Sequence, residues 1–219
     1  MHIPDGLMAP TILAIGWIVA LIAIGFASRR CSSRIANEKV PTMAVLAAGI
    51  FVAQMLNFPI VGGTTGHLLG ATLAVMIVGP LAAIIVMSIV IIIQGLLFGD
   101  GGILAMGLNL TNMAIVAVLA GAVFLRLTEK LKTEVSVFIA SWSSVFIASL
   151  VCAAELAVSD LISPGTYGVI WSISIPTVVG LYSIIAIGEA LITVSVATYF
   201  LRVHPHMIQS PKRVPEASA

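Results

Sequence analysis

The chain has 219 residues, of which 60% are hydrophobic and 9% are charged, whereas an average soluble protein has roughly 45–50% apolar and about 25% charged residues. This composition excludes a soluble globular protein, because there are too few polar side chains to cover its surface. It also excludes a disordered chain, which needs low hydrophobicity and high charge. A net charge of +1 gives no indication of a nucleic-acid partner. The sequence therefore predicts an all-α, polytopic protein in contact with the lipid bilayer.

A membrane-spanning helix needs about 20 mostly apolar residues. Apolar runs of this kind follow one another in chain order at residues 7–27, 41–56, 68–98, 103–125, 135–158 and roughly 177–201. The third run is too long for one ordinary helix and is interrupted at Gly79-Pro80. It predicts either one overlong helix or two short ones.

The basic residues decide between these possibilities. All ten Lys and Arg fall in three clusters, which consist of Arg29, Arg30, Arg34 and Lys39, then Arg126, Lys130 and Lys132, and finally Arg202, Lys212 and Arg213. The positive-inside rule places the three clusters in the cytoplasm, so the chain must cross an even number of times between the first and the second. We therefore expect seven spans in the cytoplasmic membrane, with the N-terminus outside and the C-terminus in the cytoplasm. Residues 68–98 then form two short spans of about 24–28 Å, and a re-entrant hairpin is the alternative.

This topology defines the remaining segments. Four segments lie at the outer face: residues 1–6, 57–66, 99–102 and 159–176. The last of them is too polar and too broken by proline to be a clean span, and it could hold a short surface helix. Residues 1–203 form a single integral-membrane domain on this interpretation. Residues 204–219 are polar and proline-rich, and we expect them to be a disordered cytoplasmic tail.

His2 has a specific chemical consequence because it follows the first residue. The Met1 amine, the His2 amide nitrogen and His2 Nδ1 can all reach one ion, forming a five-membered and a six-membered chelate ring. Displacement of the amide proton favours a planar nitrogen field, which suits Ni(II) or Cu(II) and also low-spin Co(II). A fourth nitrogen would complete the square, and His67 offers one from the same face. The alternative for His67 is a polar residue near a helix start, with Thr64 or Thr65 as the cap.

Several polar residues lie near the predicted outer ends of the spans. Their amides and carboxylates could hold the N-terminal segment and orient a ligand histidine; they are Asp5, Gln54, Asn57, Gln94, Asp100, Asn109 and Asn112. The alternative is that the amides only join helices to one another. Glu189 lies well inside the last span, where an acid is a functional candidate by default, but the sequence names no partner for it.

Five motifs together resemble a known family. They are MHIPDG at residues 1–6, NFP at 57–59, GTTGHLLG at 63–70, QGLLFGDGG at 94–102 and MGLNLTNM at 106–113. This combination resembles the substrate-specific component of energy-coupling-factor transporters for cobalt and nickel, the CbiM/NikM family.

The resemblance implies a six-helix substrate-binding core preceded by one extra helix, which agrees with the span count from charge. It implies that the ligands of the transported Co(II) or Ni(II) ion are Met1, His2 and His67. Asp5, Asn57, Thr64, Thr65, Asp100, Asn109 and Asn112 would then support the site. It also implies three kinds of partner: a transmembrane coupling subunit, cytoplasmic ATPase subunits and a small accessory membrane subunit. The sequence has no G-x-x-x-x-G-K-[ST] motif for ATP, which fits a transport subunit that is not itself an enzyme.

Two other classes of function remain open from the residues alone. An ion-coupled secondary transporter or channel would use Glu189 and the intramembrane Asn and Gln residues, with His2 incidental. An intramembrane enzyme with a histidine-bound metal would need an open metal position and a general base, for which Asp100 is the candidate.

Overall fold

The apolar runs fold into helices that pack side by side. The structure, a computed structural model, describes residues 1–32 and 39–208. Within these ranges the helices are α1 (Pro10–Ser32), α2 (Val40–Gln54), α3 (Ala71–Val78), α4 (Pro80–Phe98), α5 (Met106–Leu127), α6 (Thr133–Ile162) and α7 (Trp171–Val203). Five of the seven are long and apolar enough to cross a membrane. The predicted all-α membrane bundle with seven helices is confirmed.

The helices differ in how deeply they are buried. α5 and α4 are the most buried of the long helices, whereas α1 is largely exposed along its length. α1 packs against α4 and the start of α5, and α6 packs between α5 and α7. Many large apolar side chains on the outer helix faces are exposed, as expected for surfaces in contact with lipid.

The run at residues 68–98 divides at the predicted place but not into the predicted halves. Gly79 has a φ of +82° and Pro80 begins α4, where its missing N–H costs no helix bond. α3 has only eight residues, or about 12 Å, and is shorter than expected. The cause lies in residues 68–70, because the Leu69 and Gly70 N–H groups bond to Glu189 in α7 rather than within a helix.

The bundle has two distinct ends. Gly79 and Pro80 border a cavity together with Arg30, Lys39 and Arg126, whereas Phe98 packs against Phe51 near the other end of α2. The segment therefore crosses the bundle and returns, and the re-entrant alternative is not observed. Arg34, Lys212, Arg213 and residues 209–219 of the predicted tail lie outside the described residues.

Residues 159–176 differ from the expectation of a separate surface helix. α6 continues to Ile162, a short loop follows, and α7 already begins at Trp171. Pro176 lies in a π-helical turn, Ile175–Val179, whose wider hydrogen-bond spacing lets the helix pass a residue without an N–H. The first helix is also displaced from its predicted run, because residues 7–9 precede it.

A small hairpin shapes the end of the bundle opposite the basic residues. Strands β1 (Phe58–Ile60) and β2 (Thr64–Gly66) pair antiparallel, with Pro59 opposite Thr65. β2 leads directly to His67. The chain before α1, this hairpin and the loop after α4 all meet at this end.

Candidate metal centre

The N-terminal segment is inserted into the end of the bundle. Met1, His2 and Ile3 are each at most 1% exposed. The Ile3 N–H donates to Asn109 Oδ1 at 2.8 Å, and the Ile3 carbonyl accepts bonds from Asn109 Nδ2 at 3.1 Å and from the Gly102 N–H at 2.9 Å. The Asn109 side chain, in α5, thus pairs with both backbone groups of Ile3. These bonds fix how deeply Met1 and His2 are inserted into the bundle.

Asp5 holds the loop that follows α4. Its two carboxylate oxygens accept the N–H groups of Ile103 and Ala105, each at 3.0 Å. Gly102 passes so close that a Cβ atom there would lie 2.0 Å from the Asp5 carboxylate. The glycines of the motif at residues 99–102 therefore allow the loop to close over the N-terminal segment.

Three nitrogens predicted to bind the ion face one oxygen atom. Thr65 Oγ1 lies 3.4 Å from the Met1 amine, 3.2 Å from the His2 backbone nitrogen and 3.5 Å from His2 Nδ1. The amine, the amide and the ring nitrogen therefore converge on the same side of the N-terminal residues. An ion bound by all three nitrogens would complete a five-membered and a six-membered chelate ring.

The Met1 amine has two further oxygen neighbours. It donates to the Thr65 carbonyl and to the Tyr182 hydroxyl, and that hydroxyl in turn donates to the Thr65 carbonyl at 2.7 Å. Tyr182 is completely buried in α7 and was not predicted as a site residue. A tyrosine inside an apolar span, where its hydroxyl needs a partner, is the sequence signal that could have indicated it.

His67 lies beside His2. The two rings are nearly parallel, at 23°, and their centroids are 4.7 Å apart. His67 Nδ1 donates to the Leu68 carbonyl at 2.7 Å, so the lone pair of the neutral ring is on Nε2. Nε2 of both rings is buried and has no hydrogen-bond partner among the described residues. The orphaned Nε2 of His67 is therefore available to a ligand.

The nitrogens are held in their neutral forms. Burial lowers the pKa of the Met1 amine from its usual 8.0 to about 4. Burial also lowers the pKa of His2, although Asp100 opposes this effect. The pKa of His67 falls well below its usual 6.5 because of burial and the nearby positive charges of the N-terminus and His2. Neutral amine and imidazole groups present the lone pairs that a metal ion requires.

Asp100 joins two of the predicted residues. Its Oδ1 lies 3.2 Å from His2 Nδ1, and its Oδ2 accepts a bond from Asn57 Nδ2 at 2.6 Å. Burial alone would raise the pKa of Asp100, but the contacts with His2 and Asn57 hold it below the usual value. The carboxylate therefore stays ionised beside the three nitrogens and can balance the charge of a divalent ion.

Two predicted support residues are placed differently. Thr64 is buried, but its hydroxyl has no partner within the described ranges. Asn112 donates to Glu155 of α6 at 2.6 Å instead of joining Asn109 at the N-terminal segment. Met1, His2, His67, Asp5, Asn57, Thr65, Asp100 and Asn109 are brought together at one end of the bundle.

Side chains alone do not form a conventional metal cluster here. In the part of the chain that the structure describes, no group of three or more His, Cys, Asp and Glu residues is arranged to hold an ion. Two imidazoles with an amine and an amide nitrogen provide four nitrogen donors, but only if the backbone takes part. Such a donor set favours ions that accept square-planar nitrogen ligation.

Comparison with known proteins gives a consistent result. A family model described as the cobalt uptake substrate-specific transmembrane region matches residues 2–207. A protein of Haloquadratum walsbyi assigned to metal transport is 37% identical over 208 residues, which are 95% of this chain and 93% of that protein. The fused nickel transport protein NikMN of Rhodobacter capsulatus is 32% identical over 231 residues, covering 99% of this chain and 66% of that protein.

A solved structure shares the fold. The crystal structure of a transition metal transporter is 35% identical, with a TM-score of 0.89 over 93% of this chain and 93% of the other. The resemblance seen in the motifs is thus confirmed over nearly the whole chain, and these similarities indicate a transporter rather than a catalyst. With its apolar helices and its family match over residues 2–207, the chain belongs to the CbiM family of cobalt-uptake substrate-specific transmembrane proteins.

Proposed function

We propose that the chain is the metal-capture membrane subunit of an ATP-driven energy-coupling-factor importer for Co(II) or Ni(II). It binds one ion through the Met1 amine, the His2 amide and imidazole nitrogens, and the His67 imidazole. The observation that carries this proposal is the convergence of three of these nitrogens on Thr65 Oγ1, within 3.2–3.5 Å. The unpartnered Nε2 of His67 supplies the fourth donor.

The chemistry of the donors supports the choice of ions. An amide nitrogen binds only after it loses its proton, and the resulting planar nitrogen field suits Ni(II) and low-spin Co(II) better than Zn(II), which prefers a tetrahedron. Relatives of the chain include a nickel transport protein of Rhodobacter capsulatus and a cobalt transport protein of Acetoanaerobium sticklandii. In the ion-free chain His2 Nδ1 lies 3.2 Å from Asp100 Oδ1, so ligation through Nδ1 requires the proton of the neutral ring to lie on Nε2.

The remaining parts of the proposal concern the whole assembly. Residues 1–203 form a single domain in the cytoplasmic membrane, with the N-terminus outside, and residues 204–219 form a cytoplasmic tail. The subunit works with a transmembrane coupling subunit, cytoplasmic ATPase subunits and a small accessory membrane subunit. ATP hydrolysis in these partners supplies the energy for release of the ion on the inside, since the chain has no ATP-binding motif of its own.

The hydrogen bonds of the buried polar residues argue against the secondary-transporter alternative. Glu189 accepts two backbone N–H groups, Gln54 donates to a backbone carbonyl, and Asn109 pairs with Ile3. Glu189 and Gln54 thus support the backbone of residues 69–70, and Asn109 supports the N-terminal segment. Asp100, the candidate base for an intramembrane enzyme, is likewise engaged with His2 and Asn57.

The test is ion binding by purified protein with a native or an extended N-terminus. Adding one residue before Met1 moves the amine away while it leaves both imidazoles in the chain. We expect the extended form to lose tight Co(II) and Ni(II) binding in titration calorimetry, together with the absorption band of a square-planar nitrogen site. His67→Ala should also weaken binding, and His204→Ala, outside the site, is the control for a lost imidazole.

Hydrogen exchange of residues 2–6 distinguishes the loss of a metal ligand from the release of the N-terminal segment. His67→Ala should leave this segment protected, because removal of the imidazole breaks no hydrogen bond to the N-terminal backbone. Unchanged binding by the extended protein would place the site elsewhere and overturn the proposal.

A further inference from the structure

A non-helical connector links the predicted ligand His67 to α3. It consists of residues 68–70, and Gly70 has a φ of +79°. Its position inside a membrane bundle is unusual, because backbone N–H and C=O groups that leave a helix there must find other partners. The partners of this connector therefore determine where His67 lies.

Glu189 in α7 provides the main attachment. Its side chain is buried, at 2% exposed, and its two carboxyl oxygens accept the N–H groups of Leu69 and Gly70, the latter at 2.8 Å. Gln54 in α2 donates to the Leu69 carbonyl at 2.6 Å. An acid inside a membrane span is costly, and here both of its oxygens serve the connector.

The connector in turn holds the imidazole. The Leu68 carbonyl accepts the Nδ1 proton of His67, which leaves Nε2 as the nitrogen with the lone pair. An apolar cavity of about 580 Å³ borders Leu68, Gly70 and Glu189. The hydrogen bonds of Glu189 and Gln54 thus hold the connector at the edge of this cavity.

We infer that Glu189 is a positioning residue for metal binding, which acts through the backbone of residues 68–70 to fix the orientation and the proton-bearing nitrogen of His67. This inference rests on the proposed function, because it takes His67 to be a ligand. The hydrogen bonds of Glu189 go to the N–H groups of Leu69 and Gly70 and not to the donor nitrogens proposed for the ion. Its effect on binding must therefore disappear when the His67 ring is absent.

The first experiment compares two carboxyl groups inside the bundle. Glu189→Gln replaces one acceptor oxygen by an amide NH₂ that faces a backbone N–H. Glu155→Gln is the control, since Glu155 is a half-buried acid of a span that bonds to Asn112 instead of the connector. We expect Glu189→Gln to weaken Ni(II) binding at least tenfold and to shift the absorption band in the direction seen for His67→Ala. Glu155→Gln should stay within about twofold of the parent.

The decisive experiment is a double-mutant cycle. In the His67→Ala background, Glu189→Gln should cause no further loss of Ni(II) affinity and no further spectral change. Full additivity of the two losses, or native binding by Glu189→Gln, would overturn the inference while the site stands. Native binding by His67→Ala would instead overturn the proposed function, so the two failures are distinguishable.

A second variant covers the case in which Glu189→Gln does not fold. Gln54→Met removes the other attachment of the connector and leaves Glu189 in place. We expect a smaller loss of affinity in the same direction, again absent in the His67→Ala background. An equal loss of Ni(II) affinity in the His67→Ala background would show that the connector does not act on binding through His67.

Discussion

Thr64 and Thr65 are adjacent in β2, the first buried and the second half-buried, and their hydroxyls have different surroundings. The Thr65 hydroxyl accepts the His2 N–H, whereas the Thr64 hydroxyl has no partner among the described residues. Thr65→Val should leave a buried N–H unpaired and so destabilise the docked N-terminus by about 1–3 kcal/mol, because a lost partner costs the desolvation of the group left behind. Thr64→Val should be neutral or slightly stabilising.

Hydrogen exchange at residues 2–6 of the ion-free protein measures this difference. Valine has nearly the shape of threonine, so the pair isolates the hydroxyl group in two neighbouring positions. An equal loss of protection in both variants would show that the packing of β2, and not the bond to His2, holds the N-terminus in place.

The sequence predicted most of the residues around His2, but it did not predict all of their partners. His2, Asp5 and His67 stood out because their residue types and their neighbours indicate ligation or tight turns. Tyr182 was missed because it lies in a helix more than a hundred positions away, and no local pattern links it to Met1. Such a contact exists only once the helices have packed.

Asn112 shows that a local irregularity in a helix changes the direction in which a side chain points. Residues three apart share a face of a regular α-helix, and a regular helix would point Asn109 and Asn112 in similar directions. The helix between them enters a π-helical segment, Leu110–Val116, which has more residues per turn. Asn112 is therefore rotated toward Glu155 of α6, and the composition of the segment gives no warning of this change.

The helix boundaries show a similar division between what the sequence can and cannot predict. The break at Gly79-Pro80 was predictable, because both residues act on their own backbone. The late start of α3 was not, because it depends on Glu189, which lies 120 positions from Leu69. An apolar run predicts that a segment crosses the membrane, but it does not distinguish a helical residue from one whose backbone bonds to a distant side chain.

Gly70 provides a test of the connector as part of the fold. Alanine in the left-handed region costs about 1–2 kcal/mol, and a Cβ atom on Gly70 would also lie 3.1 Å from Ile50 Cγ1. We therefore expect Gly70→Ala to lower thermal stability in detergent and to weaken Ni(II) binding. Gly49→Ala, in α2, is the matched control because a Cβ there meets nothing within 4 Å, and alanine should stabilise that helix by roughly 0.5–1 kcal/mol.

The two effects of Gly70→Ala should occur together, since the same backbone segment supports α3 and His67. A variant with lower stability and unchanged binding would show that the connector can shift without moving the imidazole. That result would limit the role of residues 68–70 to the fold.

The arrangement of charge across the molecule follows from the number of crossings. Of the ten Lys and Arg, three lie outside the described residues, and the other seven lie at the end of the bundle where Arg30, Lys39 and Arg126 surround Gly79-Pro80. The docked N-terminus is at the opposite end. The sequence predicts that the basic residues and the N-terminus lie at opposite ends, because the positive-inside rule depends only on the charge of each loop. How the Met1, His2 and His67 nitrogens come together depends instead on contacts between loops that are distant in sequence.

The orientation in the membrane can be tested with single cysteines at the two ends. Cys31 and Cys152 are buried and would be replaced by alanine. Thr166→Cys would then mark the loop near the N-terminal segment and Lys130→Cys the basic end, and both positions are exposed. We expect a membrane-impermeant maleimide to label Thr166→Cys in intact cells and Lys130→Cys only after permeabilisation, because basic loops remain on the cytoplasmic side. The reverse pattern would place the candidate site on the inside, where a subunit that captures ions for import could not load them.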